Sequence, residues 1–435
     1  MTDRSDFQKF LMGVGFRSAQ PLLLNILSLP AMALIIRKLG SENYGKWCTS
    51  VALVSTSGFL TSLGLRGPFV REVARNSKAA PSALSRQLSV RIPLTLLAMA
   101  MTLTVSLLMR YPAVVVKCTA VACAGMLLST LWTAGFDLLD GLHRFAMVAW
   151  ISLAAGLVLT AASVVVVWFG GGPVAVSVSY LLGHVTSLVL LIILLRPECF
   201  WVRPHLSFRS AISTLWESRH FTAQTLLAVL KSNLSLLVLP KLIGAPAFGH
   251  YAGGTLLASR SAILPDALGT VFYPILARAW AVNRQTAARR VLKALVVSST
   301  ACTLAAIAGT LMADWIGQFL FPHAADECAL MIRISVWVLP LLGIESMIAC
   351  SLNACGREAA QAKASVPSTG FALAVGLILC VWYRAFGACW FLLARSAIQI
   401  AFLTPAFFRT LVRLPQPRNE LERAATVPVI LGRQE

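Results

Sequence analysis

Arg37-Lys38-Leu39-Gly40, followed closely by Tyr44-Gly45-Lys46-Trp47, is a sequence pattern that occurs twice in this chain. The second copy, about 200 residues later, is Lys241-Leu242-Ile243-Gly244, followed by Phe248-Gly249-His250-Tyr251. Each copy lies directly after one long apolar segment and directly before another. The two halves therefore resemble copies of one unit. Duplicated membrane bundles are typical of transporters, because two lobes can rock around a site between them.

The composition of the chain is that of a membrane protein. Of its 435 residues, 57% are hydrophobic and only 12% are charged, whereas a soluble domain has about a quarter charged residues. Segments long enough to cross about 30 Å of hydrocarbon as helices lie at 12–36, 46–65, 92–109, 113–134, 146–169, 173–195, 220–240, 248–276, 294–312, 331–351, 366–382 and 386–408. The predicted fold class is an all-α polytopic membrane protein with about twelve transmembrane helices.

The net charge of +20 follows from where the basic residues lie. Arg and Lys crowd alternate loops, and with the N-terminus inside the cell the richest stretches, 66–91, 196–219 and 409–435, are all cytoplasmic. An even number of spans then places both termini in the cytoplasm. The positive-inside rule explains the charge without nucleic acid as a partner, although attraction of the basic loops to anionic membrane lipid is an alternative.

The chain shows no signature of a cofactor, metal or nucleotide site. Its ten cysteines are scattered without a C-x-x-C pair, and His184 and His250 have no partner at ligand spacing, so we interpret all of them as structural. Without a G-x-x-x-x-G-K-[ST] phosphate loop, energy is predicted to come from an ion gradient, a substrate gradient or a partner. The polar start of the chain and the long apolar stretch after it predict an uncleaved first span.

The duplication predicts two units of six helices each. Residues 206–216 fit an interfacial helix that joins the units, and the predicted domains are therefore residues 1–205 and 206–435. Because the repeat contains an even number of helices, both copies enter the membrane in the same direction and are related by an axis along the membrane normal.

The two copies also end their second helices alike. The second span closes with Gly64-Leu65-Arg66-Gly67-Pro68-Phe69-Val70-Arg71-Glu72-Val73-Ala74-Arg75, and the eighth with Gly269-Thr270-Val271-Phe272-Tyr273-Pro274-Ile275-Leu276-Ala277-Arg278. Together with the R-x-L-G-x-x-x-Y-G turn after the first span, these stretches resemble the Wzx-type polysaccharide flippases. Those proteins belong to the multidrug/oligosaccharidyl-lipid/polysaccharide (MOP) exporter superfamily.

The resemblance implies a fold, a substrate and partners. The fold would be a V-shaped, MATE-like pair of six-helix bundles. The substrate would be undecaprenyl-diphosphate-linked oligosaccharide for O-antigen, exopolysaccharide or capsule synthesis, moved across a bacterial inner membrane by alternating access. A polymerase and glycosyltransferases of the same pathway are the expected partners, and the protein itself is expected not to be an enzyme.

Ionisable side chains at membrane depth are few. Each costs about 2.5–3.5 kcal/mol at the centre of a helix, so such groups should face a wet cavity. Those in the predicted spans are Arg17, Lys231, Arg260, Asp266, Glu345 and Arg395. Gln20 shares a helical stripe with Arg17, and Gln224 shares one with Lys231. These stripes predict a hydrated cleft in which four cations face two carboxylates, which suits a substrate that carries a diphosphate.

Each of the cations has a second interpretation. The Arg17 side chain can snorkel to the cytoplasmic headgroups instead of lining a cleft. Lys231 and Arg260 are too deep for that, and their alternative is a structural ion pair with one of the two carboxylates. A substrate role and a structural role are both open for Arg395.

The two carboxylates are candidates for ion coupling. A buried carboxylate can exchange H⁺ or bind Na⁺, so Asp266 and Glu345 are predicted to couple an ion gradient to transport. Pro265 precedes Asp266 and is predicted to break or kink the eighth helix there, either as a hinge for alternating access or as a packing bend.

Two other functions remain open at this point. A multidrug exporter of the same superfamily is one, although a site for cationic drugs should carry an excess of carboxylates, and the predicted cleft carries the reverse. A membrane polysaccharide polymerase or ligase is the other, but such enzymes need a substantial extracytoplasmic loop with catalytic residues. The longest such loop here, Asp314 to Glu327, is short and is predicted to be a solvated turn.

Overall fold

The computed structural model describes residues 2–63, 65–76, 80–199, 229, 233, 236–282 and 284–413. Within these ranges all regular structure is helical. The helices are α1 (Thr2–Ser57), α2 (Phe59–Ser62), α3 (Arg66–Arg75), α4 (Ala80–Leu108), α5 (Ala113–Gly141), α6 (Phe145–Trp168), α7 (Pro173–Cys199), α8 (236–254), α9 (Leu256–Ser261), α10 (Ile263–Val282), α11 (Arg284–Leu311), α12 (Ala313–Leu320), α13 (Ala325–Ser335), α14 (Val338–Ala354) and α15 (Glu358–Arg413), with a 3₁₀ turn at Pro322–Ala324. The predicted domain boundary and the predicted joining helix at 206–216 lie outside the described residues.

The helices account for the predicted membrane crossings. Eight apolar stretches in the described ranges are long enough to cross a membrane. Two of them, in α1 and α15, contain a sharp backbone turn, at Gly40 (φ 73°) and Arg384 (φ 51°), so that each crosses twice. Gly244 (φ 77°) lies between the predicted seventh and eighth spans, and most of the seventh lies outside the described residues.

Gly40 and Gly244 occupy the same position in the two copies of the repeated pattern. Both have a positive φ, a conformation that glycine adopts without the steric cost that a Cβ would impose. Each glycine therefore turns the chain sharply from one crossing into the next. The repeat recognised in the sequence thus has a matching repeat in the backbone.

Hydrophobic packing divides the helices into a first lobe, α1–α7, and a second lobe, α8–α15. At the end that carries the two turning glycines, one cluster of buried residues includes members of both lobes, such as Tyr44 and Ile332. At the opposite end each lobe has its own core, built around Leu138 in the first lobe and Met347 in the second. The lobes therefore share a core at what we call the closed end and have separate cores at the far end, while α1 of the first lobe also contacts α10 of the second.

The eighth crossing is interrupted, as the sequence predicts. α9 ends at Ser261 and α10 begins at Ile263, with Pro265 in the first turn of the new helix. Proline fits a first helical turn because the amide hydrogens there have no intrahelical acceptor. The Ser346 hydroxyl on α14 donates a hydrogen bond to the Pro265 carbonyl oxygen at 3.2 Å, so the interruption is held against a neighbouring helix.

α4 and α5 extend beyond their predicted spans. The predicted third span begins at residue 92 and the fourth ends at 134, whereas α4 begins at Ala80 and α5 continues to Gly141. Much of the predicted loop at 66–91 is likewise helical, since α3 lies within it. The physical reason is a set of ion pairs to two buried aspartates, described below, that neutralises the charges in these extensions.

Candidate functional site

A cavity of about 680 Å³ in the second lobe contains three of the predicted site residues. Asp266 from α10, Glu345 from α14 and Arg395 from α15 all line it. Thr270 and Asn353 add neutral oxygen atoms to the same wall. The interruption before α10 places Asp266 in the first turn of that helix, where the helix dipole favours a negative charge.

The charges in this cavity act on one another. Glu345 interacts electrostatically with both Asp266 and Arg395. Two carboxylates and one guanidinium give the lining a net charge of −1, which suits a small cation better than a phosphate. Of the four predicted cations only Arg395 lines this cavity. Arg260 lines another cavity, and the side chains of Arg17 and Lys231 lie outside the described part of the chain.

A second cavity, of about 320 Å³, is lined by first-lobe residues and by Arg260 of the second lobe. The Arg260 guanidinium donates a hydrogen bond to Asn25 Oδ1 at 2.8 Å, and the Asn25 amide nitrogen donates to the Arg260 carbonyl oxygen at 3.5 Å. Among the described residues Arg260 forms no ion pair, so the predicted alternative of a pair with Asp266 or Glu345 is not observed. Because its partner is a neutral amide, the guanidinium keeps its full charge and further donors for an anion.

The other predicted site residues fall into three groups. Gln20 lines the cavity of Arg260, and Ser28 of the same helix lines it as well. The backbone of Arg17 is part of α1, three residues before Gln20, but its side chain is not among those described. Lys231 and Gln224 lie outside the described residues.

The backbones of the two lobes touch at the closed end through the repeated glycines Gly45 and Gly249. A Cβ on Gly45 would lie 1.9 Å from the Ala245 carbonyl oxygen, and a Cβ on Gly249 would lie 2.0 Å from that of Ser41. Ser41 and Ala245 follow the turning glycines in the two copies, so this contact repeats itself about a two-fold axis. Only glycine permits so close an approach of two backbones.

Basic residues of the repeated pattern also bridge the lobes at the closed end. The Arg37 guanidinium lies 5.6 Å from the ring centre of Phe319 in the second lobe, and the Lys241 ammonium lies 4.2 Å from that of Tyr111 in the first. Burial raises the pKa of Tyr111, so its ring stays neutral at physiological pH. Lys38, by contrast, faces a tryptophan of its own lobe at 5.7 Å. Each cation is within the range for attraction by the face of an aromatic ring.

A network of charges joins α3, α4 and α5 at the far end of the first lobe. The Asp137 carboxylate accepts hydrogen bonds from Arg91 Nη2 at 2.7 Å and Gln87 Nε2 at 3.3 Å. Arg66 Nε lies 3.1 Å from Asp137 and its Nη2 lies 2.8 Å from Asp140. Arg91 is only 3% exposed. Pairing is what makes a guanidinium tolerable at this depth, because an isolated buried charge would cost several kcal/mol.

This network is not predicted from the sequence. Arg66 and Arg91 lie in a stretch predicted to be cytoplasmic, and Asp137 and Asp140 have no predicted role. The available signal is the spacing of the two aspartates, which follow an apolar helix three residues apart and therefore share one helix face. Asn25, the partner of Arg260, has no comparable signal, because it is one polar residue in an apolar segment.

Comparison with protein families identifies the chain. A family model described as polysaccharide biosynthesis protein matches residues 34–330. The chain belongs to this family. The match extends from the end of the first crossing into α13, so it includes both copies of the repeated pattern, together with Arg260 and Asp266. The polysaccharide biosynthesis family places the protein in the MOP superfamily, as the motifs indicate.

Solved structures share the fold at low sequence identity. The lipid II flippase MurJ, in an inward closed conformation, superposes with a TM-score of 0.70 at 12% identity, over 93% of this chain and 88% of that one. An inward-facing multidrug MATE transporter of the MOP superfamily gives 0.61 at 15%, over 90% and 96%. The Vibrio cholerae MATE transporter VcmN, in a mutant form, gives 0.61 at 16%, over 95% and 98%. The predicted all-α, polytopic, MATE-like membrane fold is confirmed. No curated protein sequence matches the chain.

Proposed function

We propose that this protein is a flippase that moves undecaprenyl-diphosphate-linked oligosaccharide from the cytoplasmic to the periplasmic leaflet of the bacterial inner membrane. The observation that carries the proposal is Arg260, a second-lobe cation that enters a first-lobe cavity. A guanidinium is suited to bidentate phosphate binding. Membership of a polysaccharide biosynthesis family supports a glycan-bearing lipid as the source of the phosphate. The protein would act as a transporter and not as an enzyme.

Alternating access is the mechanism that the two-lobed geometry supports. With both termini in the cytoplasm, the closed end faces the periplasm and the far end, where the lobes have separate cores, faces the cytoplasm. The substrate would enter from the cytoplasmic leaflet with its lipid chain in the surrounding bilayer lipid. Separation of the two glycine contacts at the closed end would then release the glycan. Glycosyltransferases and a polymerase of the same pathway would supply and use it.

Arg260 connects binding to the motion of the lobes. Its guanidinium holds Asn25 of the other lobe, so an anion that takes the same donor competes with an inter-lobe hydrogen bond. A hydrogen bond to a charged group contributes about 1.5–3 kcal/mol. Gln20 lines this cavity, and Arg17, Lys231 and Gln224 stay predictions for the remainder of the substrate path.

Asp266 and Glu345 are proposed to carry the coupling ion, H⁺ or Na⁺. Their cavity has a net charge of −1, and Arg395 reduces the repulsion between the two carboxylates. Within the described ranges no cluster of three His, Cys, Asp or Glu side chains exists that would hold a metal ion. A bound Na⁺ would therefore need neutral oxygens as well, such as those of Thr270 and Asn353.

The first experiment measures lipid-linked oligosaccharide on the cytoplasmic leaflet of cells that lack the gene. Wild type is expected to relieve the accumulation, and Arg260→Ala to transport about 10- to 150-fold more slowly, the equivalent of about 1.5–3 kcal/mol. Lys231→Ala is expected to slow transport to a similar extent. Arg290→Ala, an exposed basic residue on α11, is the matched control and should transport normally.

The coupling proposal has its own test. Transport into vesicles should lose its dependence on the proton or sodium gradient in Asp266→Asn and Glu345→Gln. Asp326→Asn, an exposed acid at the closed end, should retain it. An unchanged gradient dependence in both site variants would exclude these carboxylates as the coupling groups.

A multidrug exporter is the second candidate, favoured by the excess of carboxylates around Asp266. If the deletion leaves precursors normal and raises drug sensitivity, that function replaces the flippase. A polymerase or ligase has less support, because two of the three acids of the predicted extracytoplasmic loop form ion pairs. Asp314 pairs with Arg333 at 2.6 Å, and Glu327 lies 3.4 Å from His250.

A further inference from the structure

A third cavity, of about 320 Å³, lies inside the first lobe and has no role in the mechanism above. It opens between the second crossing, α5 and α7, and its wall includes the rings of Trp47, Tyr180 and His184. At roughly 30 Å³ per water molecule it has room for about 11 waters, which is enough space for one sugar ring. Ala122 and Gly125 border it, and their small side chains leave the space free.

The lining of this cavity is uncharged as long as the His184 ring is neutral. Its residues include no Asp, Glu, Lys or Arg, whereas the other two cavities contain Arg260 in one case and Asp266, Glu345 and Arg395 in the other. A ligand that fits here is therefore neither a phosphate nor a metal cation. Neutral polar groups and aromatic rings select a neutral molecule with both hydroxyl groups and apolar faces.

The hydroxyl groups in the wall present acceptors to the cavity. Ser55, Thr61, Ser129 and Ser177 each donate to a carbonyl oxygen of their own helix, at distances of 3.0, 2.7, 2.8 and 3.0 Å. With their hydrogens used in this way, their oxygen lone pairs remain available to a ligand. A sugar ring, with several hydroxyl donors around its edge, matches such a wall.

His184 supplies a donor to the same wall. Its Nδ1 accepts a hydrogen bond from Trp132 Nε1 at 3.3 Å, so in the neutral ring the proton is on Nε2. The Nε2 atom would lie 3.3 Å from a Cβ on Gly125, another residue of the cavity wall. From the sequence alone, His184 is predicted to be structural. Its bond to Trp132 fixes the tautomer that offers an N–H group on this side.

Tyr180 joins this cavity to the proposed phosphate site. Its ring lines both the third cavity and the cavity of Arg260, and it interacts electrostatically with Arg260. A diphosphate held by Arg260 would therefore have its first sugar beside Tyr180. The sugar's C–H groups can pack on the ring face there while its hydroxyl groups reach the polar wall.

We propose that the third cavity is a carbohydrate subsite for the neutral sugar attached directly to the diphosphate. This rests on the proposed function, since it is the diphosphate at Arg260 that brings the sugar to Tyr180. The subsite would make the protein sense the sugar next to the carrier lipid, not only the diphosphate.

The test compares binding of four probes to the purified full chain in nanodiscs. The probes are undecaprenyl diphosphate alone and the same carrier with glucose, galactose or N-acetylglucosamine. At least one sugar-bearing carrier should bind more tightly than the bare carrier. His184→Ala should weaken that binding about 2- to 12-fold, the loss of one hydrogen bond. Ala122→Phe, which fills the cavity, should remove the advantage of the sugar altogether.

His184→Ala and Ala122→Phe should both bind the bare carrier as tightly as wild type does. That result would also show that the two variants are folded. His250→Ala, a histidine at the closed end that does not line this cavity, is the matched control and should keep the preference for the sugar. If the bare carrier binds and none of the three sugars improves on it, or if Ala122→Phe keeps the preference, the subsite is refuted. If the bare carrier does not bind to wild type at all, the flippase proposal itself fails.

Discussion

Replacing Gly45 by alanine should force the closed end apart. The new Cβ would lie 1.9 Å from the Ala245 carbonyl oxygen, 2.8 Å from its carbonyl carbon and 3.0 Å from the Gly249 nitrogen. Ordinary contact begins near 3.4 Å, so the two segments must move apart by at least about 1.5 Å. All three atoms are backbone atoms of the other lobe, so no side chain can rotate to relieve the clash.

The size of the effect follows from the cost of such a clash. Overpacking a tight contact costs about 1–3 kcal/mol. If that cost applies only to the closed conformation, the equilibrium shifts towards opening of this end by about 5- to 150-fold. The reciprocal variant Gly249→Ala places its Cβ 2.0 Å from the Ser41 carbonyl oxygen and should act alike. The double variant Gly45→Ala/Gly249→Ala should open this end little more than either single variant does, because either change alone already separates the lobes.

The assay uses a cysteine that the chain already has. Cys48 is partly buried and packs against the cluster shared by the lobes, so its thiol is protected while this end is closed. Labelling by a membrane-impermeant maleimide, read from the Cys48 peptide by mass spectrometry, should accelerate in Gly45→Ala by the factor given above. Gly172→Ala is the control, because a Cβ there meets nothing within 4 Å. Equal labelling of Gly45→Ala and wild type would refute the reasoning.

Three other outcomes follow from the contacts described. Arg37→Gln should also accelerate labelling of Cys48 at the closed end, by about 2- to 5-fold, because it removes a cation–π pair of about 0.5–1 kcal/mol. Lys38 faces its own lobe, so Lys38→Gln should leave the labelling rate unchanged. Equal labelling rates in the two variants would contradict a bridging role for Arg37. Asp137→Ala should lower the free energy of unfolding in detergent by about 3–5 kcal/mol, because it leaves the buried Arg91 guanidinium unpaired. A loss below about 1 kcal/mol would show that water already screens the Arg91 charge. Asn25→Asp should weaken the binding of inorganic pyrophosphate about 10-fold in a calorimetric titration, because the new carboxylate would pair with Arg260 and compete with the ligand. Tighter binding of pyrophosphate would be inconsistent with that competition.

Local sequence was enough to predict the backbone repeat. The turn after the first crossing needs a positive φ, which makes a glycine at that place informative, and its second copy at Gly244 carries the same information. The interruption near Pro265 was likewise predictable, because proline removes a backbone donor whatever surrounds it. Apolar length and composition then sufficed to predict nearly every crossing, since hydrocarbon imposes one requirement on all of them.

Pairing across long separations was not predictable in the same way. Arg91 and Asp137 are 46 residues apart, and each alone reads as a loop residue beyond a span. Only their contact makes both acceptable inside a helix. Arg260 and Asn25 are 235 residues apart, and no periodicity within either helix identifies the other. The two glycine contacts were unpredictable for the same reason. The sequence shows the repeated glycines, but only the fold shows that they face one another.

The ion pair between Arg91 and Asp137 has a consequence for how the protein is made. The chain leaves the ribosome at about 5–20 residues per second, so Asp137 emerges roughly 2–9 s after Arg91. During that interval α4 carries, at Arg91, a cation without its aspartate partner, which the lipid phase rejects. We therefore expect α4 to wait at the cytoplasmic surface and to enter the bilayer together with α5, as a hairpin, once translation has delivered the aspartate.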